Sequence, residues 1–304
     1  MKKDAEIIEL YENGYSTSEI KERVSCSTGT IYNALKRNGR PTRNYKHGVN
    51  VEVKEEIKRR YLNRESVNKI HHETGIDSGK IKSILDEFCI TKISASKRHN
   101  PNIDEDYFEN IDTGDKAYWL GWLLTDGCID KNSVSISLQA RDRYILDQFA
   151  KDIGVENKVK VFNKAYYRLY FCSKKIVNDL SKYGIVDNKT FSVVIPDIDE
   201  KYVSDFLRGC FDGDGGFSIL NSRGRTEIEL SFCGNFNTVS KFNTLVSERC
   251  CLNEKNVTKN NSIFRVRWSK KEEVLKICEF FYNGASTHRL DRKYQMFLAI
   301  KNEV

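Results

Sequence analysis

The sequence predicts an α+β fold in which an internally duplicated region follows two small all-α modules. Residues 1–90 carry a gapless repeat with an offset of 50, and two apolar helices that each end in Asp-Gly lie 88 residues apart, from Gly121 to Gly209. After each of these helices the pattern changes to the apolar-polar alternation of a half-buried strand. We therefore predict two modules at 1–45 and 50–95, followed by two related halves at 105–195 and 196–304.

Composition indicates a folded chain with a polyanionic partner for its front end. Of the 304 residues, 39% are hydrophobic and 31% are charged, which is enough for real cores under a well-solvated surface. The net charge is +7, and residues 1–100 alone hold 20 basic against 14 acidic side chains. A surplus placed in one segment favours nucleic-acid binding there, with a solvated basic face as the alternative.

Cysteine usage and hydropathy predict an intracellular protein without a membrane partner. The chain has nine cysteines, an odd number, and no C-x-x-C pair, which indicates free thiols in a reducing compartment. The beginning MKKDAEII is too polar for a signal peptide, and no apolar run approaches the length of a membrane span. We expect a cytoplasmic location, in a bacterial or phage-like context or in an organelle.

Each front module reads as three short helices. In the first copy, Ser16 and Glu19 form a capping box for the second helix, and Ile31 and Leu35 face inward on the third. This pattern resembles the helix-turn-helix modules of bacterial and phage regulators and recombinases, in which the third helix enters the major groove. The alternative for both copies is a three-helix bundle that binds no nucleic acid. The DNA-contact candidates are Thr28, Thr30, Asn33 and Arg37 in the first copy, and Lys80 and Lys82 in the second.

A basic segment, KRNGRPTRNYKHG, joins the two modules. It contains Arg40 and Arg43 and no acidic residue, and Pro41 prevents a continuous helix. An extended basic arm of this kind suits the narrow minor groove, and a solvated linker is the alternative.

The duplicated region begins in each half with an apolar helix. Aligned on their glycines, the two read WLGWLLTDG (119–127) and LRGCFDGDG (207–215), and each is followed by elements in the order β-β-α-β-α. A helix that is apolar on all sides must pack against something, and two related copies can pack on each other about a pseudo-twofold axis. Small residues permit a close approach of the helix axes, and the candidates for this role are Gly121, Gly209 and Gly213.

In such a pair the helix ends meet, and so do Asp126 and Asp214. Two carboxylates side by side repel each other unless a cation lies between them. Oxygen ligands suit Mg²⁺, or a similar divalent ion such as Mn²⁺, which keeps several waters and engages phosphate. Carboxylates, a divalent metal and a DNA backbone are together the components of hydrolytic phosphodiester cleavage.

The paired helices resemble the dodecapeptide motifs of the LAGLIDADG homing endonucleases, in the single-chain, two-motif form. The resemblance covers about two-thirds of the chain. It implies that the last acidic residue of each motif, Asp126 and Asp214, binds the metal, and that Asp212 is structural. It also implies two saddle-like antiparallel sheets that lie in the major groove of double-stranded DNA, and a cut in both strands.

The same resemblance implies two further sets of site residues. Polar and basic side chains surround the cleavage water, and the candidates are Gln139, Lys189 and Lys293, with Cys233 as the counterpart of Gln139. Arginines on the sheet faces can read guanine, or they can be surface residues without a target. The sheet-face candidates are Ser135, Ser137, Arg168, Tyr170, Arg223, Arg225, Glu227, Glu229, Arg265 and Arg267.

These features predict a monomeric, metal-dependent endonuclease that makes a double-strand break in a long DNA target. Two alternatives use the same fold without requiring cleavage: a transcription regulator, and an intron maturase for which intron RNA is the partner. The paired aspartates favour cleavage, because a protein that only binds needs neither carboxylate.

Overall fold

A computed structural model describes residues 2–13, 15, 17–40, 49, 51–187, 193–222, 225–284 and 288–302. The chain forms two compact units, Met1–Thr91 and Lys92–Val304. No helix in the described ranges is long and apolar enough to cross a membrane.

The first unit contains two three-helix modules that repeat the same core. Ile7, Ile20 and Ile31 are fully buried in the first module, and the residues 50 positions later are isoleucines with the same burial: Ile57, Ile70 and Ile81. The helices are α1 (Lys2–Glu12), α2 (Thr17–Val24), α3 (Thr28–Arg37), α4 (Val51–Leu62), α5 (Val67–Thr74) and α6 (Ser78–Glu87).

Side-chain caps begin the helices that follow the turns. Ser27 accepts a hydrogen bond from the backbone N–H of Thr30 at the start of α3, at 3.1 Å, and Asp77 caps α6 in the equivalent place. The predicted cap Ser16 lies outside the described residues. Its counterpart Ser66 caps α5 through the backbone N–H of Lys69.

One ion pair is repeated between the modules with its charges exchanged. Arg37 at the end of α3 pairs with Asp4 at 3.1 Å, while Glu87 at the end of α6 pairs with Lys54 at 2.7 Å. Both residues of the second pair lie 50 positions after those of the first. The third helix therefore ends in a basic residue in one module and in an acidic residue in the other.

The second unit has two four-stranded antiparallel sheets, with strand orders β1-β2-β4-β3 and β5-β6-β8-β7. The predicted α+β fold with a tandem duplication is confirmed. A short helix α7 (Ala95–His99) precedes the first half, which contains α8 (Gly114–Thr125), β1 (Cys128–Asp130), β2 (Ser133–Gln139), α9 (Arg143–Asp152), β3 (Val159–Asn163), β4 (Tyr166–Cys172) and α10 (Lys174–Lys182). The second half contains α11 (Val203–Asp214), β5 (Gly215–Ser222), β6 (Arg225–Gly234), α12 (Phe236–Cys250), β7 (Thr258–Asn260), β8 (Ile263–Trp268), α13 (Lys271–Tyr282) and α14 (Asp291–Asn302).

Each half has one strand more than the predicted order. The additional strands are β3 and β7, so that the element order is αββαββα in the first half and αββαββαα in the second, where α14 is a further helix. Both are edge strands. β3 is exposed along almost its whole length and β7 has only three residues, so neither carries the buried alternation that marks a strand in sequence.

The sheets separate an inner apolar face from an outer polar one. Along β2, Val134, Ile136 and Leu138 are buried, whereas Ser135 and Ser137 between them are only partly covered. This follows from the two-residue period of a strand. One continuous hydrophobic core, from Ile103 to Ile300, underlies both sheets.

Candidate active site

The two motif helices touch through their glycines. A Cβ atom at Gly121 would lie 2.2 Å from the carbonyl oxygen of Phe206, and one at Gly209 would lie 2.1 Å from that of Tyr118. Real Cβ atoms do not approach so closely, and any side chain at either glycine would therefore separate α8 from α11.

The contact between these helices is reciprocal. Gly121 meets Phe206, and Gly209 meets Tyr118, which is the residue 88 positions before Phe206. An interface is isologous, as in a twofold dimer, when two residues touch across it and their equivalents in the other half touch in the same way. The two halves are therefore related by a pseudo-twofold axis that passes between α8 and α11.

This symmetry brings the two aspartates to the same end of the helix pair. Asp126 caps the C-terminus of α8, and Asp214 is the last residue of α11. A Cβ atom at Gly213 would lie 3.1 Å from Oδ2 of Asp126, so this carboxylate lies beside the residue that precedes Asp214. Both aspartates are exposed.

The electrostatics of the helix ends favour a cation. The C-terminus of each helix carries a partial negative charge, and the two carboxylates add to it. No cluster of three or more histidine, cysteine or acidic residues suited to a metal ion occurs in the part of the chain that the structure describes. Two exposed carboxylates fit Mg²⁺, which binds through one or two protein carboxylates and leaves its other positions to water and phosphate.

Lys293 lies beneath this site, and it is buried rather than solvated. This residue lies in the first turn of α14 and is 2% exposed. Its Nζ donates hydrogen bonds to the carbonyl oxygens of Asp212 at 2.9 Å, Gly215 at 2.7 Å and Phe211. Burial lowers the pKa of Lys293 to about 8, while the negative charges of Asp212, Asp126 and Asp214 oppose that shift. The lysine therefore holds the C-terminal turn of α11 in place.

The other two residues predicted around the cleavage water are placed differently. Lys189 lies outside the described residues. Gln139 is exposed at the end of β2. The strand register shows which residues of the two halves are equivalent. The residues two positions after the motif aspartates, Cys128 and Gly216, pair with Ser135 and Ser231.

This register corrects the expected counterpart of Gln139. Ser137 and Cys233 each lie two residues after the paired serines and are therefore equivalent. Gln139 and Asn235 each lie four residues after them and are equivalent in the same way. Asn235 caps α12 and donates a hydrogen bond from its side chain to the carbonyl of Val193. The expected match to Cys233 was wrong because β6 extends to Gly234, and the position equivalent to Gln139 lies just after its end.

Asp212 is fully buried, in agreement with the structural role expected for it. Its Oδ2 accepts hydrogen bonds from the hydroxyl of Tyr118 at 2.9 Å and from the backbone N–H of Leu290 at 2.7 Å. Burial raises the pKa of this carboxyl group, against the opposing effect of Lys293. The contact with Tyr118 connects the two halves.

A buried arginine next to Asp212 had no place in the sequence interpretation. Arg208 is 0% exposed and pairs with Asp205 at 2.6 Å. It also donates to the carbonyl oxygens of His288 and Phe281, at 3.0 and 2.9 Å. The signal was present as an Asp-x-x-Arg pair inside an otherwise apolar helix, because a charge that must be buried needs a partner within reach.

A cleft of about 530 Å³ opens at the end of the motif helices. Its lining includes Asp214 and Thr125 from the helix ends, Cys128 from β1, and Cys233 and Asn235 from the second half. Residues from both halves therefore line the space next to the aspartates.

The predicted reading residues lie on the polar sheet faces where the structure describes them. Ser135 pairs with Tyr170 and Ser137 with Arg168 in the first sheet. In the second sheet, Arg265 and Arg267 alternate with buried neighbours on β8, and Glu229 lies near Arg267 at 3.5 Å. Arg223 lies outside the described residues, and Arg225 begins β6 opposite Ser222, while Glu227 pairs with Leu220.

The helix-turn-helix candidates lie at accessible positions. Thr28, Asn33 and Arg37 are exposed on α3, and Thr30 is partly covered. Arg40, just after α3, pairs with Glu12 at 2.6 Å. In the second module Lys82 is exposed and Lys80 is partly covered, and Arg43 lies outside the described residues.

Three LAGLIDADG meganucleases of known structure are similar to this chain. I-AabMI bound to uncleaved DNA is 12% identical over 61% of this chain and 89% of its own, with a TM-score of 0.46. I-SmaMI bound to uncleaveable DNA is 13% identical over 60% of this chain and 88% of its own, with a TM-score of 0.46. I-CpaMI bound to uncleaved DNA is 16% identical over 60% of this chain and 89% of its own, with a TM-score of 0.47.

These structures belong to the family that the paired motifs resemble. No family model and no curated protein matches the chain. Identities of 12–16% do not transfer residue roles to this chain.

Proposed function

We propose that the chain is a LAGLIDADG-type DNA endonuclease that makes a metal-dependent double-strand break in a long, specific target. One observation carries the proposal: Asp126 and Asp214 end two helices that are in backbone contact about a pseudo-twofold axis. Twofold-related carboxylates suit a substrate that is itself pseudo-symmetric, and the two antiparallel strands of DNA have this property.

Each part of the second unit has a place in this reaction. Asp126 and Asp214 would hold a divalent cation, with Mg²⁺ or Mn²⁺ as the candidates, and such an ion activates water and stabilises charge on a phosphate. Lys293 keeps the end of α11, and with it Asp214, in position through three carbonyl contacts. The polar sheet faces bind base edges in the major groove.

A single chain suffices for this activity, because the two halves supply one aspartate each. We therefore propose a monomer bound to double-stranded DNA. The alternative of a transcription regulator rests on the helix-turn-helix modules of the first unit. An intron maturase that binds RNA is a further alternative, and both predict that the two aspartates are dispensable.

Loss of either motif aspartate should abolish cleavage while leaving DNA binding intact. The full chain is incubated with a randomised duplex library and Mg²⁺, and the new DNA ends are sequenced. Asp126→Asn and Asp214→Asn each remove a charge without changing the shape, and each should lower cutting at least about 1,000-fold. Asp130→Asn, an exposed aspartate on β1, is the matched control and should cut normally.

Metal removal and a double variant test the same proposal. Chelation of divalent ions with EDTA should stop cleavage by the wild-type chain, and added Mg²⁺ should restore it. Cutting by the Asp126→Asn/Asp214→Asn double variant at the wild-type rate would show that the nuclease assignment is wrong.

We also propose that the first unit binds phosphates through the end of α3. Arg37 and Arg40 are exposed and pair with surface acids, and such pairs are weak enough to be exchanged for phosphates. In the full chain, Arg37→Ala/Arg40→Ala should reduce the slope of log affinity against log salt by roughly 1 for each phosphate that is no longer bound. Arg59→Ala on α4 is the control, and an unchanged slope in the double variant would remove these arginines from the interface.

A further inference from the structure

The two sheets hold one arginine each at equivalent positions. In the first sheet Arg168 lies opposite Ser137, and in the second Arg265 lies opposite Cys233. Ser137 and Cys233 occupy the same place relative to their motif aspartates, as the pairing of Cys128 with Ser135 and of Gly216 with Ser231 establishes. The pseudo-twofold axis therefore relates Arg168 to Arg265.

Both guanidinium groups are held by the same kind of contact. Nε of Arg168 donates to Oγ of Ser137 at 2.8 Å, and Nε of Arg265 donates to Sγ of Cys233 at 3.0 Å. The guanidinium carbon of Arg168 also lies 3.4 Å from the centre of the Phe162 ring. The hydrogen-bond acceptor, Ser137 or Cys233, is neutral in each half, so it does not neutralise the positive charge of the arginine.

A third arginine on these faces differs. Arg267 lies beside Glu229, with Nε and Oε1 3.5 Å apart. Its equivalent in the first half is Tyr170, because the two residues lie opposite Ser231 and Ser135. The symmetric pair is therefore flanked by an asymmetric one.

An arginine held at Nε keeps its two terminal nitrogens for a ligand. These nitrogens match O6 and N7 of guanine in the major groove, the commonest specific contact between proteins and DNA. A side chain that is already ordered loses less entropy on binding. Both conditions are met at Arg168 and at Arg265.

We infer that Arg168 and Arg265 each read one guanine, and that these guanines lie at mirrored positions in the two half-sites, on opposite strands. Tyr170 and Arg267 read the neighbouring position differently in each half. The target is thus a partial palindrome. The guanine is the same in both half-sites, whereas the neighbouring base pair differs between them. The inference rests on the proposed DNA-binding function but not on cleavage.

The test is a base-preference profile of the full chain, measured by selection of bound duplexes from a randomised library in buffer without divalent metal. Cleavage is assayed separately with Mg²⁺, so that loss of cutting with an intact profile affects only the nuclease proposal. The wild-type profile should contain one required guanine in each half-site, at equal distances from the centre and on opposite strands.

Single variants then assign the guanines. Arg168→Ala should relax the preference at one guanine and Arg265→Ala at its mirror position, each with a loss of about 5- to 150-fold in affinity for the selected site. Lysine supplies charge without the two-pronged contact, so Arg168→Lys should lose the same base preference while retaining more affinity. Arg143→Ala, on α9, is the control, because this arginine pairs with Asp147 on the helix.

The role of the atom that accepts from the arginine Nε can be tested by replacing sulfur with oxygen. Cys233→Ser gives the second half the partner that Arg168 has in the first, and should leave the guanine preference unchanged. Uniform loss of affinity across all bases in Arg168→Ala and Arg265→Ala would mean phosphate contacts and would overturn the inference. Relaxation at positions that are not mirrored, or a wild-type chain that selects no sequence, would also overturn it. Thermal melting of each variant checks that it is folded.

Discussion

The helices α8 and α11 occupy equivalent places but bury different chemistry. At three positions where α11 has Asp205, Arg208 and Asp212, the residues 88 positions earlier in α8 are Ala117, Leu120 and Leu124. All six are buried. The glycines and the terminal aspartates are the features that the two helices share.

This difference separates what the twofold contact requires from what it tolerates. The contact requires a glycine where the backbones meet and an aspartate where the helices end. The flanking positions can be filled by an apolar residue or by a charged one, provided that a charged one has a partner within reach. Buried charge in α11 is therefore an attribute of one half, and it should respond to substitution differently from its apolar counterpart.

The largest effect on stability is expected at Arg208. Arg208→Met removes the buried guanidinium that pairs with Asp205 and donates to two carbonyl oxygens, and it should lower the free energy of unfolding by about 3–5 kcal/mol. The equivalent substitution in α8, Leu120→Met, conserves volume and should cost less than about 1.5 kcal/mol. Urea unfolding measures both, and equal losses at the two positions would contradict the comparison.

A combined variant tests whether the three buried charged residues of α11 depend on one another. Asp205→Ala/Arg208→Leu/Asp212→Leu copies the residues of α8 into α11. Because it removes the charges together, its cost should be smaller than the sum of the three single variants. A cost equal to that sum would show that the three charges act independently.

The next largest loss of stability is expected at the two glycines where the helices touch. Gly121→Ala and Gly209→Ala each place a methyl group about 2 Å from a backbone carbonyl of the other helix, and should cost about 1–3 kcal/mol or more. The two losses should be similar, because the contact is reciprocal. Gly216→Ala on β5 is the control, since a Cβ there meets nothing within 4 Å, and urea unfolding again gives the measurement.

The last effect is a dependence of stability on pH that comes from Lys293, which contacts the C-terminal turn of α11. The pKa of Lys293 is lowered by burial from 10.5 to about 8, so between these values the unfolded chain holds a proton that the folded chain has released. Stability from this group therefore rises with pH across that window. The melting temperature of the wild type relative to Lys293→Met should increase from pH 8 to pH 10, and a constant difference would mean that Lys293 does not titrate there.

The sequence predicted those features that are encoded within single segments. The repeated Asp-Gly helices, the 50-residue repeat and the alternation in β2 are local patterns, and the α+β duplication follows from them. β3 was missed because it is a short edge strand in which the apolar residues Val161 and Phe162 are exposed and are not part of the core. The number of strands in a sheet depends on pairing, which local pattern describes poorly.

The buried network could not be derived in the same way. Oδ2 of Asp212 accepts hydrogen bonds from Tyr118 and from the backbone of Leu290, which lie 94 and 78 residues away in the chain. Lys293 was expected beside the cleavage water, and only its three carbonyl partners reveal that it is inside. The roles proposed for Asp126, Asp214 and the sheet arginines remain predictions.

The close approach of the two glycines also has a consequence during synthesis of the chain. α8 is buried on all sides in the finished protein, yet its partner helix follows 88 residues later. At ordinary translation rates of about 5–20 residues per second, α8 leaves the ribosome roughly 4–18 s before α11 is available to cover it. Its apolar face is then open to other nascent chains, and a chaperone or wide spacing of ribosomes on the message would protect the first half until the second arrives.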